Sequence, residues 1–234
     1  MHYDKPIILE TTTFKQCQLN SDLSEAFAVI WLHGLGADGH DFEAVVPMLN
    51  VEELPIRFIF PHAPVQPVTI NGGMAMRSWY DIIGLEIDSR ADVDGIHQSV
   101  AYTKNLIQQQ CDNGMDSKHI IVAGFSQGGA VALHTGLTSE LPLGGIMALS
   151  TYLPCSELIN EENRQVNAEI DIFQAHGTQD PVVPIQLGEM AHHQLQLWNY
   201  PAKWHTYSMP HAVIEQELHA ISHWLNHIVM SSGQ

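Results

Sequence analysis

The segment Gly124-Phe125-Ser126-Gln127-Gly128 places a serine hydroxyl between glycines, in the pattern G-x-S-x-G. It directly follows the apolar run 119–123 and directly precedes a stretch of small residues starting at Gln127. A strand, a tight turn and a helix in that order present a serine as a nucleophile at the top of a sheet. The turn is strained, so its neighbours must be small, and Gly124, Gly128 and Gly129 meet that need. The helix N-terminus below Ser126 aims unpaired N–H groups and a partial positive charge at any negative charge that develops.

A serine hydroxyl needs a base, and the base needs an acid to orient it. Each is expected in a loop after a later strand, acid before base. The run 170–175 leads into His176-Gly177-Thr178-Gln179-Asp180-Pro181, with Pro184 just beyond. Asp180 is the candidate acid, in a loop that the prolines stiffen. Helix capping is its structural alternative. Asp171 is a rival, but it lies inside the predicted strand. The run 203–208 leads into Met209-Pro210-His211, which makes His211 the candidate base. His205 lies within a strand, and His219, His223 and His227 lie on the last helix. His176 precedes Asp180 and reverses the order. His33-Gly34-Leu35-Gly36 follows the first strong strand. The main-chain amides of Leu35 and Gln127 are the candidate oxyanion donors, worth about 3–4 kcal/mol each in a transition state. This chemistry needs neither metal nor organic cofactor.

These residues require a scaffold that brings strand ends together. A continuous apolar run at 27–32 predicts a strand covered on both faces, and shorter or mixed runs at 56–60, 119–123, 145–149, 170–175 and 203–208 predict further strands. Helical patterns occupy 92–110, 127–138, 184–198 and a last stripe of Ile214, Leu218, Ile221, Leu225 and Ile228. The alternation predicts an α/β fold, a mostly parallel sheet with helices on both faces. Residues 1–234 are expected to form a single domain, with an edge hairpin over 7–19 or an irregular segment in 1–20. The stretch 61–90, rich in Pro and Gly, is expected as a long ordered loop over the carboxyl ends of the strands.

Twenty-six acidic residues against nine basic ones give a formal net charge of −17. That argues against nucleic acid and against a polybasic grip on anionic membrane. Three cysteines without CxxC spacing suggest neither a disulfide framework nor a zinc site. The first residues lack the pattern of a signal peptide, and no apolar run approaches about twenty residues. The expectation is a cytoplasmic chain without integral membrane association. A homodimer is left open. His219, His223 and His227 recur every fourth residue, which could present imidazoles to a metal. No HExxH accompanies them, so a solvated face is the preferred reading and no metal is assigned. A non-catalytic binding module on the same fold is the rival function.

The stretches 32–42 (LHGLGADGHDF), 58–82, 123–133 (AGFSQGGAVAL), 144–154, 176–184 (HGTQDPVVP) and 210–213 (PHAV) together resemble the phospholipase/carboxylesterase family, which includes acyl-protein thioesterases. The likeness covers most of residues 27–229. It implies an α/β-hydrolase fold without a separate lid domain. It implies a serine carboxylesterase acting on small acyl esters, with acyl-thioesters and lysophospholipids as further candidate substrates. Its triad positions correspond to Ser126, Asp180 and His211. Residues 64–79 resemble the family segment that lines the acyl pocket, with Val65, Val68, Ile70, Met74, Met76 and Trp79 as its apolar wall. Arg77 stands where some relatives carry uncharged residues, a departure expected to narrow or polarise that pocket.

Overall fold

The computed structural model describes residues 2–84 and 92–232. Residues 85–90 of the expected loop therefore lie outside the described residues. A seven-stranded sheet has the order β1-β3-β2-β6-β7-β8-β9. Its strands are β1 (Ile7–Glu10), β2 (Phe27–Leu32), β3 (Ile56–Phe60), β6 (Ile120–Phe125), β7 (Gly145–Leu149), β8 (Ile172–Gly177) and β9 (Ala202–Tyr207). All neighbours pair in parallel except β1, which runs antiparallel to β3.

Strand β2 explains why the apolar runs are unbroken. Ala28, Ile30 and Leu32 enter one core, and Phe27, Val29 and Trp31 enter the other. Successive side chains point to opposite faces, and both faces are covered. The first core takes in residues of α1 (Thr12–Leu19), α2 (Val93–Asp112), α3 (Gln127–Leu137) and α4 (Ile185–Leu197). The second is closed by α5 (Glu215–Ser231) and a 3₁₀ segment, Glu43–Leu49. This is the α/β-hydrolase fold. Among the described residues no helix or strand stands apart as a lid domain.

The N-terminal segment departs from the expected hairpin. β1 is a lone edge strand, and the chain then turns into α1. Thr11 makes the switch: its Oγ1 accepts from the Phe14 N–H and donates to the Leu54 carbonyl. A threonine so placed caps a helix. The segment after Pro61 also contains more order than expected. β4 (Val65–Val68) and β5 (Met74–Arg77) form a separate antiparallel pair. Gly72 and Gly73 turn the chain between them at φ +67° and +78°.

Parallel pairing puts the carboxyl ends of β2, β6, β7, β8 and β9 on one edge. The register is close there. Leu32 pairs with Gly124, and Gly177 pairs with Tyr207. The loops that follow those strands therefore leave the sheet side by side.

Helix α5 begins with a buried acid. Glu217 is wholly inaccessible, and neither carboxyl oxygen has a partner at hydrogen-bonding distance. Burial pushes its carboxyl up to about 8. The folded chain thus keeps a proton that the unfolded chain releases near pH 4.5. The associated stability is fully present below that value and is lost as pH rises toward 8. Glu217→Gln cannot ionise. Its stability should match the parent near pH 4 and exceed it at pH 9 by a few kcal/mol. Denaturant midpoints measured at both pH values check this; equal losses in parent and variant would contradict it.

Candidate active site

Ser126 occupies the turn between β6 and α3 at φ 53°, ψ −121°, outside the usual regions for an L-residue. The backbone there is held on both sides. The Ser126 N–H donates to the Leu149 carbonyl at 2.8 Å, and Thr151 Oγ1 donates to the Ser126 carbonyl at 2.6 Å. The turn closes only because its neighbours lack side chains. A Cβ on Gly124 would stand 2.2 Å from the Gly128 carbonyl oxygen. One on Gly128 would stand 2.4 Å from the Leu32 oxygen, and one on Gly129 would stand 2.7 Å from Thr151 Cβ.

The His33–Gly36 loop lies against this turn. A Cβ on Gly34 would be 3.5 Å from Ser126 Cβ. The imidazole of His33 is buried, and its protonation is legible from its partners. Nε2 accepts the Ala63 N–H at 3.0 Å, so the proton sits on Nδ1, which donates to the Gly34 carbonyl at 2.7 Å. Burial pulls this histidine down to about 4, so it is neutral at physiological pH. Among the described residues no acceptor is paired with the main-chain N–H of Leu35 or of Gln127. The Gly36 N–H, by contrast, donates to the Arg77 carbonyl at 2.8 Å.

Asp180 and His211 come together across the adjacent loops. His211 Nδ1 stands 2.6 Å from Asp180 Oδ2. Asp180 Oδ1 accepts from the Val182 and Val183 amides at 2.8 and 2.9 Å. The Asp180 side chain is fully buried, and that of His211 is 15% accessible. The carboxylate is thus held in place facing Nδ1 of His211, which leaves Nε2 without that partner. The His211 ring lies 4.6 Å from the ring of Phe125, the residue preceding Ser126. The two loops are stitched directly: Thr178 N–H to the Tyr207 carbonyl at 2.8 Å, and Gln179 N–H to the Met209 carbonyl at 3.1 Å. Gly177 permits this approach, since a Cβ there would be 2.4 Å from the Met209 oxygen.

The rivals occupy other roles. Asp171 lies at the opposite end of its strand and accepts from Trp224 Nε1 and Lys203 Nζ. His176 Nε2 is 3.6 Å from Asp180 Oδ2, but it donates to the Val183 carbonyl at 2.9 Å, and its ring is buried beside Gly188. Among the described residues no three His, Cys, Asp or Glu side chains form a group able to hold a metal. No helix among them is long and apolar enough to cross a membrane.

The six residues expected to wall an acyl pocket are not brought to one surface. Val68 and Trp79 are completely buried, whereas Val65, Ile70 and Met74 are exposed. Met76 is partly buried, with its sulfur 3.7 Å from where a Cβ on Gly36 would stand. A hairpin distributes its side chains between its two faces, and Trp79 lies past the hairpin, turned inward. Its indole N–H donates to the His33 carbonyl at 2.8 Å. Arg77 does not present a free charge either. Its guanidinium donates to the Ala63 carbonyl and to Asp4 Oδ2, each at 2.8 Å. Nothing in the sequence points to Thr151 or to the Gln127 side chain; Gly177 carries a signal, as a glycine at the outlet of a strand.

Two alanine substitutions separate crowding from backbone strain. Gly128→Ala should lower stability by about 3 kcal/mol through collision with the Leu32 and His33 oxygens. Gly72→Ala meets no atom within 4 Å and should cost about 1 kcal/mol through its positive φ alone. Urea denaturation checks both; equal effects would contradict the crowding argument.

The chain is similar to known proteins over most of its length. The acyl-protein thioesterase 1 of Neurospora crassa is 41% identical over 209 residues, covering 84% of each chain. The crystal structure of Arabidopsis thaliana SOBER1 superposes with a TM-score of 0.83 at 29% identity, covering 87% of this chain and 99% of that one. Zea mays acyl-protein thioesterase 2 shares the fold with a TM-score of 0.84 at 24% identity, over 97% of this chain and 100% of its own. The family model described as phospholipase/carboxylesterase matches residues 19–229, and the chain belongs to that family.

Proposed function

We propose that the chain is a serine hydrolase that cleaves small acyl esters, acyl-thioesters among them, through Ser126, His211 and Asp180. The observation that carries this reading is the 2.6 Å contact between Asp180 and His211 beside the strained Ser126 turn. The thioester arm rests on the name of the Neurospora crassa relative.

In this mechanism Nε2 of His211 takes the proton of the Ser126 hydroxyl as its oxygen attacks the acyl carbonyl. Asp180 keeps the other ring nitrogen protonated and stabilises the imidazolium. The Leu35 and Gln127 amides receive the oxyanion, which is why their lack of an internal acceptor matters. His211 then returns the proton to the departing alcohol or thiol. Water, activated by the same nitrogen, releases the acid from Ser126. Every step uses groups of the chain itself. Met76, beside the oxyanion loop, supplies apolar surface for the acyl group. Met suits this role because its side chain adapts to varied shapes.

Ser126→Ala should lower kcat by about 10⁴-fold with folding intact. Asp180→Asn should cost a similar factor, because the amide no longer enforces the tautomer that leaves Nε2 free. Steady-state rates on p-nitrophenyl esters of increasing length, run beside an acyl-thioester, measure both variants and the substrate preference. A Ser126→Ala variant that kept most of its activity would remove Ser126 from the mechanism, whereas a parent protein unlabelled by a fluorophosphonate would sink the proposal in favour of a binding module.

A further inference from the structure

Both proposed oxyanion donors lean on one short segment. Residues 77–80 run between the His33–Gly36 loop and the start of α3. They touch the loop on each side of Leu35. The Arg77 carbonyl accepts the Gly36 N–H at 2.8 Å, and the Trp79 indole donates to the His33 carbonyl at 2.8 Å. The same segment holds Gln127. The Trp79 main-chain N–H donates to Gln127 Oε1 at 2.9 Å. Gln127 Nε2 donates to Ser78 Oγ at 2.9 Å and to the Tyr80 carbonyl at 2.6 Å. All the polar atoms of the Gln127 amide are thus spent on this one segment. The segment is itself anchored from below, where Ser99 Oγ donates to the Trp79 carbonyl.

We propose that Trp79 is a positioning residue for the oxyanion donors, coupling the Leu35 loop to Gln127 through hydrogen bonds on its indole and its main chain. This rests on the serine-hydrolase reading above. Three observations favour it over a place in the acyl wall. Trp79 has no accessible surface, so a bound acyl chain could touch it only after rearrangement. Its indole and main-chain N–H groups face the two donor-bearing segments. Its ring also packs on the His33 ring, with centroids 5.1 Å apart. Oxyanion donors act through preorganisation, and small displacements are costly. A brace that fixes both donors therefore acts on the transition state rather than on the bound substrate.

Trp79→Phe removes the indole N–H and keeps most of the ring volume. Gln127→Met removes the amide and keeps the main-chain donor. Each should lower kcat by about tenfold or more while KM for p-nitrophenyl butyrate stays within about twofold. The affinity for an alkyl boronic acid, which places a charged oxygen in the site, should fall by the same factor as kcat/KM. The double variant should lose less than the product of the two single losses, since both cut one brace. End-point fluorophosphonate labelling counts the folded sites in each preparation. A raised KM with unchanged kcat, or a loss that depends only on acyl length, would return Trp79 to the acyl wall and overturn the proposal. So would strictly multiplicative effects. If Trp79→Phe fails to fold, Gln127→Met carries the same readouts; if neither folds, residues 77–80 serve folding and the proposal is overturned. Ser126→Ala run in parallel separates the two levels: an active Ser126→Ala defeats the hydrolase reading, whereas an inactive one beside an unaltered Trp79→Phe defeats the brace alone.

Discussion

The tight approach of β6 to α3 at Ser126 constrains everything around it. The serine sits at positive φ, and the chain on either side comes so close that Gly124 and Gly128 leave no room for a methyl group. Such a conformation costs free energy and persists only where the surroundings over-determine it. Here the surroundings are the two neighbouring parallel strands. Leu149 at the end of β7 accepts the Ser126 N–H, and the Leu32 and His33 oxygens at the end of β2 press against Gly128. The sheet thus holds the strained turn, and the turn decides where the hydroxyl points.

Electrostatics around this turn follows from burial. His33 is kept neutral by the protein interior, and its two nitrogens are divided between one donor and one acceptor. His176 is likewise pulled down by burial and hydrogen-bonds the Asp180 loop. Neutral imidazoles near Asp180 and Leu35 add rigid hydrogen bonds without adding charge. His211 differs from both, being partly accessible and facing a fully buried carboxylate that is held by two amides.

Most of the sheet can be read from the chain because its strands are buried on both faces and stand out as unbroken apolar runs. The outlets of those strands could be read with them, and so could the positions of Ser126, Asp180 and His211 in the loops beyond. Two features resist such reading. The switch at Thr11 depends on the Leu54 carbonyl, forty-three residues away, so residues 7–19 look like a hairpin in isolation. The side-chain directions after Pro61 depend on tertiary partners. Trp79 falls in the stretch that resembles the family's acyl-pocket segment, yet its indole N–H finds the His33 carbonyl and turns the ring inward. A polar handle on a large ring decides its direction, and hydrophobicity does not report it.

The stitching of the loops after β8 and β9 has a mechanical consequence. With Thr178 and Gln179 tied to Tyr207 and Met209, and with Gly177 seated against the Met209 oxygen, Asp180 and His211 ride on one joined pair of loops. Any movement of one loop must carry the other with it. The β4–β5 hairpin pairs with no strand of the main sheet, so strand pairing does not extend that coupling to it.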